Sequence, residues 1–143
     1  MVNSQCLLGS VYAKQEVYTP LFTLLDMYNI KINKNEYSMQ IRRAIEYIES
    51  HLTLQLKISE IAEKTFAATS TLTRNFKRET GMSIGQYIDE SIMFQAQRML
   101  LSSNASILEI SEKFGFCDQF YFARRFKEKF EVSPREYRKS TLI

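Results

Sequence analysis

Histidine and cysteine are nearly missing from this chain, and each scarcity excludes function classes. The single histidine among 143 residues is His51. Metal centres and acid–base or nucleophilic catalysis usually recruit histidine, so the common enzyme constellations are hard to assemble. No metal, no cofactor and no enzymatic activity are therefore expected. The two cysteines, Cys6 and Cys117, are too few and too scattered for a disulfide framework or a cysteine metal site. A reducing compartment is the simpler expectation. No apolar run approaches the roughly 18–20 residues of a membrane span. The first apolar residues are not preceded by the basic stretch of a signal peptide. No segment sustains the alternation of a half-buried strand, and no sheet platform with stacking aromatics suggests RNA binding.

What is present is ordinary in bulk and informative in its arrangement. Hydrophobic residues make up 45% and charged residues 24%, as in soluble globular domains. The formal net charge is only +3. Before Ser38, however, Lys14, Lys31 and Lys34 balance Glu16, Asp26 and Glu36, so all the excess charge lies in the later part. Residues 1–37 read as an extension and linker, and 38–143 as the main domain. Thr19-Pro20 starts a helix with proline at its first position, and Leu21, Leu24, Leu25 and Tyr28 give it an apolar face. The Pro20–Ile30 helix has two readings: it packs on the main domain, or it is a homodimer contact or the remnant of a regulatory domain.

The main domain contains a duplication. ISEIAEK from Ile58 returns as ILEISEK from Ile107, and RNFK from Arg74 returns as RRFK from Arg124. The second spacing is one residue longer, which places one extra residue in the second copy's turn. With two copies separated by a long helix, duplication fits better than a solenoid. Periodicity and caps place helices over Ser38–His51, Ile58–Thr65, the segment after the polar turn Ala67–Ser70, the long run from Ser83 to Leu101, and three more after Ser106, Asp118 and Ser133. Three capping boxes, Ser83/Gln86, Ser106/Glu109 and Ser133/Glu136, mark helix starts. The expected architecture is all-α: two helix-turn-helix subdomains, at 58–80 and 107–130, bridged by a long helix, with about seven helices in the main domain and an N-terminal helical extension.

A short helix, a tight turn and a second helix is the helix-turn-helix shape, whose second helix enters the major groove in DNA binders. It needs a buried stripe behind and donors in front. Leu72 and Phe76 supply the stripe in the first copy, and Phe122, Phe126 and Phe130 in the second. Ser70, Thr73, Arg74 and Lys77 project outward in the first; Gln119, Phe120, Ala123, Arg124 and Lys127 in the second. Arginine matches guanine O6 and N7 with one fork, so Arg74 and Arg124 are the base-reading candidates, with Ser70, Thr73, Gln119 and Phe120 beside them. Phe120 either touches a thymine methyl or packs on the turn. Thr69, Lys77, Arg78, Tyr121, Arg125, Lys127 and Lys129 are candidates for phosphates. Taken alone, each outward cation belongs to a solvated helix face; the repeat is what makes it a binding residue. Cys117 reads as a small turn residue and His51 as a surface or C-terminal capping residue. The long helix would span roughly 28 Å at 1.5 Å per residue, close to the roughly 34 Å groove repeat of duplex DNA. One chain can thus hold two recognition helices in successive major grooves.

At these residues the chain resembles the AraC/XylS-type bacterial transcription regulators. The resemblance rests on Ile107, Ile110, Gly115, Phe116, Asp118, Tyr121, Phe122, Arg124, Phe126, Lys127, Pro134, Tyr137 and Arg138, and extends back through FKRETGMSIGQYI, covering Met39 to Lys139. It implies two helix-turn-helix units bridged by a helix, promoter DNA as partner, activation through RNA polymerase, and a cytoplasmic, nucleoid-associated location. Many members add an effector-binding domain, for which this chain has no room; a short stand-alone member or a fragment is expected. Several positions depart from the family pattern. Phe66 stands where glycine is usual, and Ala68 where a capping serine is usual, which shifts the cap to Thr69 or Ser70. Asn75 stands where an apolar residue is usual, Ile92 where a helix arginine is common, and Glu131 replaces a glycine. The rival class is a degenerate helix-turn-helix module that binds polymerase or another regulator.

Overall fold

A computed structural model describes residues 36–141. The Pro20–Ile30 helix expected from the sequence lies outside the described residues. Among them there are seven helices and no strand: α1 Met39–Ser50, α2 Ile58–Lys64, α3 Thr69–Thr80, α4 Ile84–Ser102, α5 Ile107–Lys113, α6 Gln119–Phe130 and α7 Pro134–Ser140. The chain divides into two compact units, with the boundary inside α4 between Gln95 and Ala96. No described helix is long and apolar enough to cross a membrane.

In the first unit, Ile41, Ala44, Ile45 and Ile48 recur at helical spacing along α1 and are fully buried. Such a stripe drives packing because each buried isoleucine contributes about 1.5–3 kcal/mol. α1 packs on α2 and α3, which bury Ile61 and Ala62, and Leu72 and Phe76, respectively. Ser38 caps α1 by accepting from the Ile41 amide (3.4 Å). Its own amide and hydroxyl donate to Glu79 (2.8 and 3.0 Å), tying the start of α1 to the end of α3. Tyr87 of α4 stands edge-on to Phe76, with centroids 5.5 Å apart, and donates to Glu49 (3.2 Å). Burial, reinforced by the Glu49 carboxylate, holds the Tyr87 phenol well above its ordinary pKa. His51 ends α1 as its cap residue, its ring Nδ1 3.0 Å from the Tyr47 carbonyl oxygen. That is the exposed capping role its position suggested.

The second unit is built on aromatics. Phe126 contacts Phe122 (centroids 5.9 Å), Phe130 (4.4 Å) and Tyr137 (5.6 Å), and Phe116 packs on Phe122 (5.1 Å). Offset and edge-on ring pairs at these distances add to the area they bury. Gln97, 2% exposed, donates to the Tyr137 hydroxyl (2.6 Å), so each gives the other a partner that water cannot supply there. Arg138 reaches back to the carbonyls of Leu100 (3.1 Å) and Ala105 (2.6 Å). The first of these is an orphan acceptor at the end of α4.

All three capping boxes form, each with the serine accepting from the third helical amide and the third residue accepting from the serine amide. The helix starts therefore follow the sequence closely. One cap does not. Thr69 and Ser70 lie inside the first turn of α3, and Ala68 holds the cap position with no side-chain bond. The physical reason is the turn before it. The amide of Ala67 bonds the Ala62 carbonyl (3.0 Å), as the amide of Phe116 bonds that of Ser111 (3.0 Å). With the first turn one residue shorter after this point, the chain must turn helical at Thr69.

Candidate nucleic-acid interface

Each unit presents its second helix with one face buried and the opposite face in water. On α3, Leu72 and Phe76 are buried, while Ser70, Arg74 and Lys77 are exposed and Thr73 is half-exposed. On α6, Phe122, Phe126 and Phe130 are buried, while Phe120, Arg124 and Lys127 are exposed and Ala123 is half-exposed. Residues i, i+3, i+4 and i+7 form one strip along a helix. Ser70, Thr73, Arg74 and Lys77 make that strip on α3; Phe120, Ala123, Arg124 and Lys127 make it on α6. The strips match position for position across the duplication and end in both cases in an arginine followed three residues later by a lysine.

The strips differ in what surrounds them. The Thr73 hydroxyl donates to the Thr69 carbonyl (2.8 Å), so in the free protein it is turned back on its own helix. The exposed Arg78 lies 3.9 Å from the half-buried Glu79, a loose pair, since Glu79 also accepts from Ser38. Asn75 is half-buried and donates to Gln40 (3.4 Å), which accommodates an amide where the family pattern expects an apolar residue. On α6 the Arg124 guanidinium lies over the Tyr121 ring, 5.2 Å from its centroid. Arg125, also beside that ring (5.9 Å), donates to the Tyr121 hydroxyl (3.3 Å). Lys129 leans over Phe130 (5.9 Å). Gln119 is half-exposed at the first turn, and Phe120 is 76% exposed, so the phenyl ring does not pack on the turn. Thr69 is exposed at the start of α3.

The helix starts differ too. Asp118 caps α6 by accepting from the Tyr121 amide (2.7 Å). Its charge satisfies that end and repels a phosphate, whereas α3 has no side-chain cap. Cys117, the extra residue of the second turn, is exposed and its Sγ lies 3.7 Å from an Asp118 carboxylate oxygen. Among the described residues no cluster of histidine, cysteine or acidic groups could hold a metal ion.

Sequence reasoning placed the outward residues but missed the Tyr121–Arg124–Arg125 group. The signal was available: an aromatic three and four residues before two arginines on a helix.

Two helix-turn-helix units of this kind define a class of DNA-binding protein. A family model described as a helix-turn-helix domain matches residues 61–140. The chain is 34% identical over 109 residues to the multiple antibiotic resistance protein MarA of Escherichia coli (strain K12), covering 76% of this chain and 86% of that protein. It is 25% identical over 131 residues to the transcriptional activator RhaS of Escherichia coli (strain SE11), covering 92% of this chain but 47% of RhaS. Among solved structures it resembles the DNA-binding domain of the global transcriptional factor AdpA in complex with a target DNA. There the TM-score is 0.65 at 25% identity, over 72% of this chain and 93% of that domain. The chain belongs to the AraC/XylS-type family of helix-turn-helix transcription regulators.

Proposed function

We propose that this protein is a sequence-specific DNA-binding transcription regulator, and an activator, that sets α3 and α6 into successive major grooves of a promoter. The observation that carries this is the repeated strip: two helices, each buried on one side, present Arg and Lys at matching positions. The 19-residue helix α4 that joins the units along the chain suits recognition of two neighbouring grooves. RhaS, an activator by name, and AdpA, solved on its DNA, support the reading. Arg74 and Arg124 read base edges with Ser70, Thr73, Gln119 and Phe120. Thr69, Lys77, Arg78, Arg125, Lys127 and Lys129 hold phosphates, and Tyr121, a phosphate candidate by sequence, acts there through Arg125. RNA polymerase is the second partner, and the cytoplasm is the place of action. Residues 1–37 form an extension dispensable for DNA binding. Pro20–Ile30 is a self-association contact; sedimentation of the chain with and without residues 1–37 tests it, and an unchanged mass would remove the contact.

Binding of Arg124→Ala and Lys127→Ala to cognate and scrambled duplexes across a salt series tests the assignment. Arg124→Ala costs about 1–3 kcal/mol on the cognate site and relaxes preference at one or two base pairs. Lys127→Ala weakens both duplexes alike and lowers the salt slope by about one. If neither variant changes binding, the second unit is not a reading head and a protein-interaction module becomes the better account.

A further inference from the structure

We infer that Tyr121 is the positioning residue that sets the second unit's reading arm in place before DNA arrives, and that the first unit has no such device. This rests on the base-reading role of Arg124 proposed above.

Tyr121 is itself held firmly. Its amide donates to Asp118 (2.7 Å), and its ring leans on the buried Phe116, centroids 5.9 Å apart. On this fixed ring lies the Arg124 guanidinium (5.2 Å). A guanidinium over an aromatic face keeps its N–H donors pointing outward in its own plane. That leaves the fork free for the two acceptors on a guanine edge. An arginine held over the ring has fewer rotamers to give up on binding, which is how preorganisation raises affinity for the matching site. The Tyr121 hydroxyl does a second job. It accepts from Arg125 (3.3 Å) and draws that half-buried guanidinium to the edge of the same ring. Two guanidiniums thus share one phenol.

The duplication supplies an internal control. The residue at the Tyr121 position in the first unit is Thr71, and the residue at the Arg125 position is Asn75. Arg74 thus has no ring three residues before it, and it is exposed. Tyr121 acts on ring and hydroxyl separately: the ring serves discrimination through Arg124, and the hydroxyl serves general affinity through Arg125.

Purified variants of the whole chain, bound to cognate and scrambled duplexes, separate these two actions. Tyr121→Phe keeps the ring under Arg124 and loses the hydrogen bond. It should leave the cognate-to-scrambled ratio unchanged while weakening both complexes about twofold, the scale of one exposed hydrogen bond. Tyr121→Thr, which installs the first unit's residue, should lower the ratio about three- to fivefold, the scale of an exposed cation–π contact. In an Arg124→Ala background the Tyr121→Thr effect on the ratio should vanish, and in an Arg125→Ala background the Tyr121→Phe effect on affinity should vanish, because contacting pairs are not additive. Additive effects in these backgrounds would overturn the inference: Tyr121 would then touch DNA directly, or act only on folding. Equal loss of the ratio in Tyr121→Phe and Tyr121→Thr would also overturn it. If Arg124→Ala leaves the ratio intact, the base-reading role itself fails. If Arg124→Ala lowers it and Tyr121→Thr does not, only the positioning role fails.

Discussion

The two units carry the same plan with different chemistry, and the differences show which parts of the plan are fixed. Both bury an apolar stripe on the second helix and both keep Arg and Lys on its outer strip. Between these, substitutions are free. Ser70 and Thr73 stand where Phe120 and Ala123 do in the second copy, so the first strip offers the Ser70 hydroxyl, and that of Thr73 once it leaves the Thr69 carbonyl, while the second offers apolar contacts. A hydroxyl strip suits either base type, and an apolar strip suits thymine methyls. The two units are thus expected to read different half-sites. The cores share one contact and differ around it. Phe76 and Tyr87 pack edge-on in the first unit (5.5 Å) as their repeat counterparts Phe126 and Tyr137 do in the second (5.6 Å), and the second adds Phe122 and Phe130 to the cluster.

The repeat-related tyrosines offer the sharpest test of that contrast in stability. Tyr87 donates to Glu49, an exposed carboxylate, while Tyr137 accepts from the buried Gln97. Tyr137→Phe strands a buried amide and is expected to cost about 1–3 kcal/mol in denaturant unfolding. Tyr87→Phe leaves Glu49 in reach of water and should cost about 0.5–1 kcal/mol. An equal cost for both would mean that the second unit's polar pair is not desolvated as its burial indicates.

The left-handed positions form the next comparison. Among the described residues each unit has two, and each fills one with glycine: Gly81 (φ 81°) beside Phe66 (φ 55°), and Gly115 (φ 77°) beside Glu131 (φ 63°). The glycine therefore swaps place between the copies. Phe66 is 90% exposed, so no burial offsets its strain. Phe66→Gly is expected to raise stability by about 0.5–1 kcal/mol, the left-handed cost less the added chain entropy. Gly81→Ala, with open space around the new Cβ, should lower it by a similar amount, about 0.5–1 kcal/mol. Thermal unfolding of both variants reads the two signs, and a loss on Phe66→Gly would show that the phenyl ring is held by contacts.

The smallest effect is a pH dependence confined to one unit. The box that opens α4 closes with neutral Gln86, whereas those of α5 and α7 close with Glu109 and Glu136. Hydrogen bonds from the amide and hydroxyl of Ser106, and likewise of Ser133, hold these carboxyls below their ordinary pKa. A carboxyl lowered on folding contributes stability that is present above its unfolded pKa and lost as pH falls through the folded value. The contribution is therefore intact at neutral pH and fades below about pH 4, where unfolded glutamates have already bound protons. Glu109→Gln and Glu136→Gln should flatten the acid limb of the unfolding profile, while Gln86→Glu should steepen it. An acid limb unchanged in all three would remove the caps as its source.

Much of this was legible in the sequence because short-range signals dominate helical folds. The three capping boxes, the stripe Leu72–Phe76 and the run Phe122–Phe126–Phe130 each act within a few residues, and each appears in the fold as read. The cap of α3 was misplaced because it depends on turn length after Ala67, not on the residues that can cap. The Tyr121 group and the Arg138 clamp were missed for different reasons. The first needs side-chain direction on a helix as well as outward position. The second joins residues 33 and 38 apart in the chain, a contact that periodicity does not encode.

The central claim is that one chain reads two grooves, each with its own arginine. Base-resolution footprinting of the purified chain on its cognate duplex tests it most directly, with Arg74→Ala and Arg124→Ala run beside the parent. Two protected major-groove segments on one face, about 10 bp apart, are expected, with each variant losing protection in one segment and keeping the other. A single protected groove, or loss of the same bases in both variants, would contradict it.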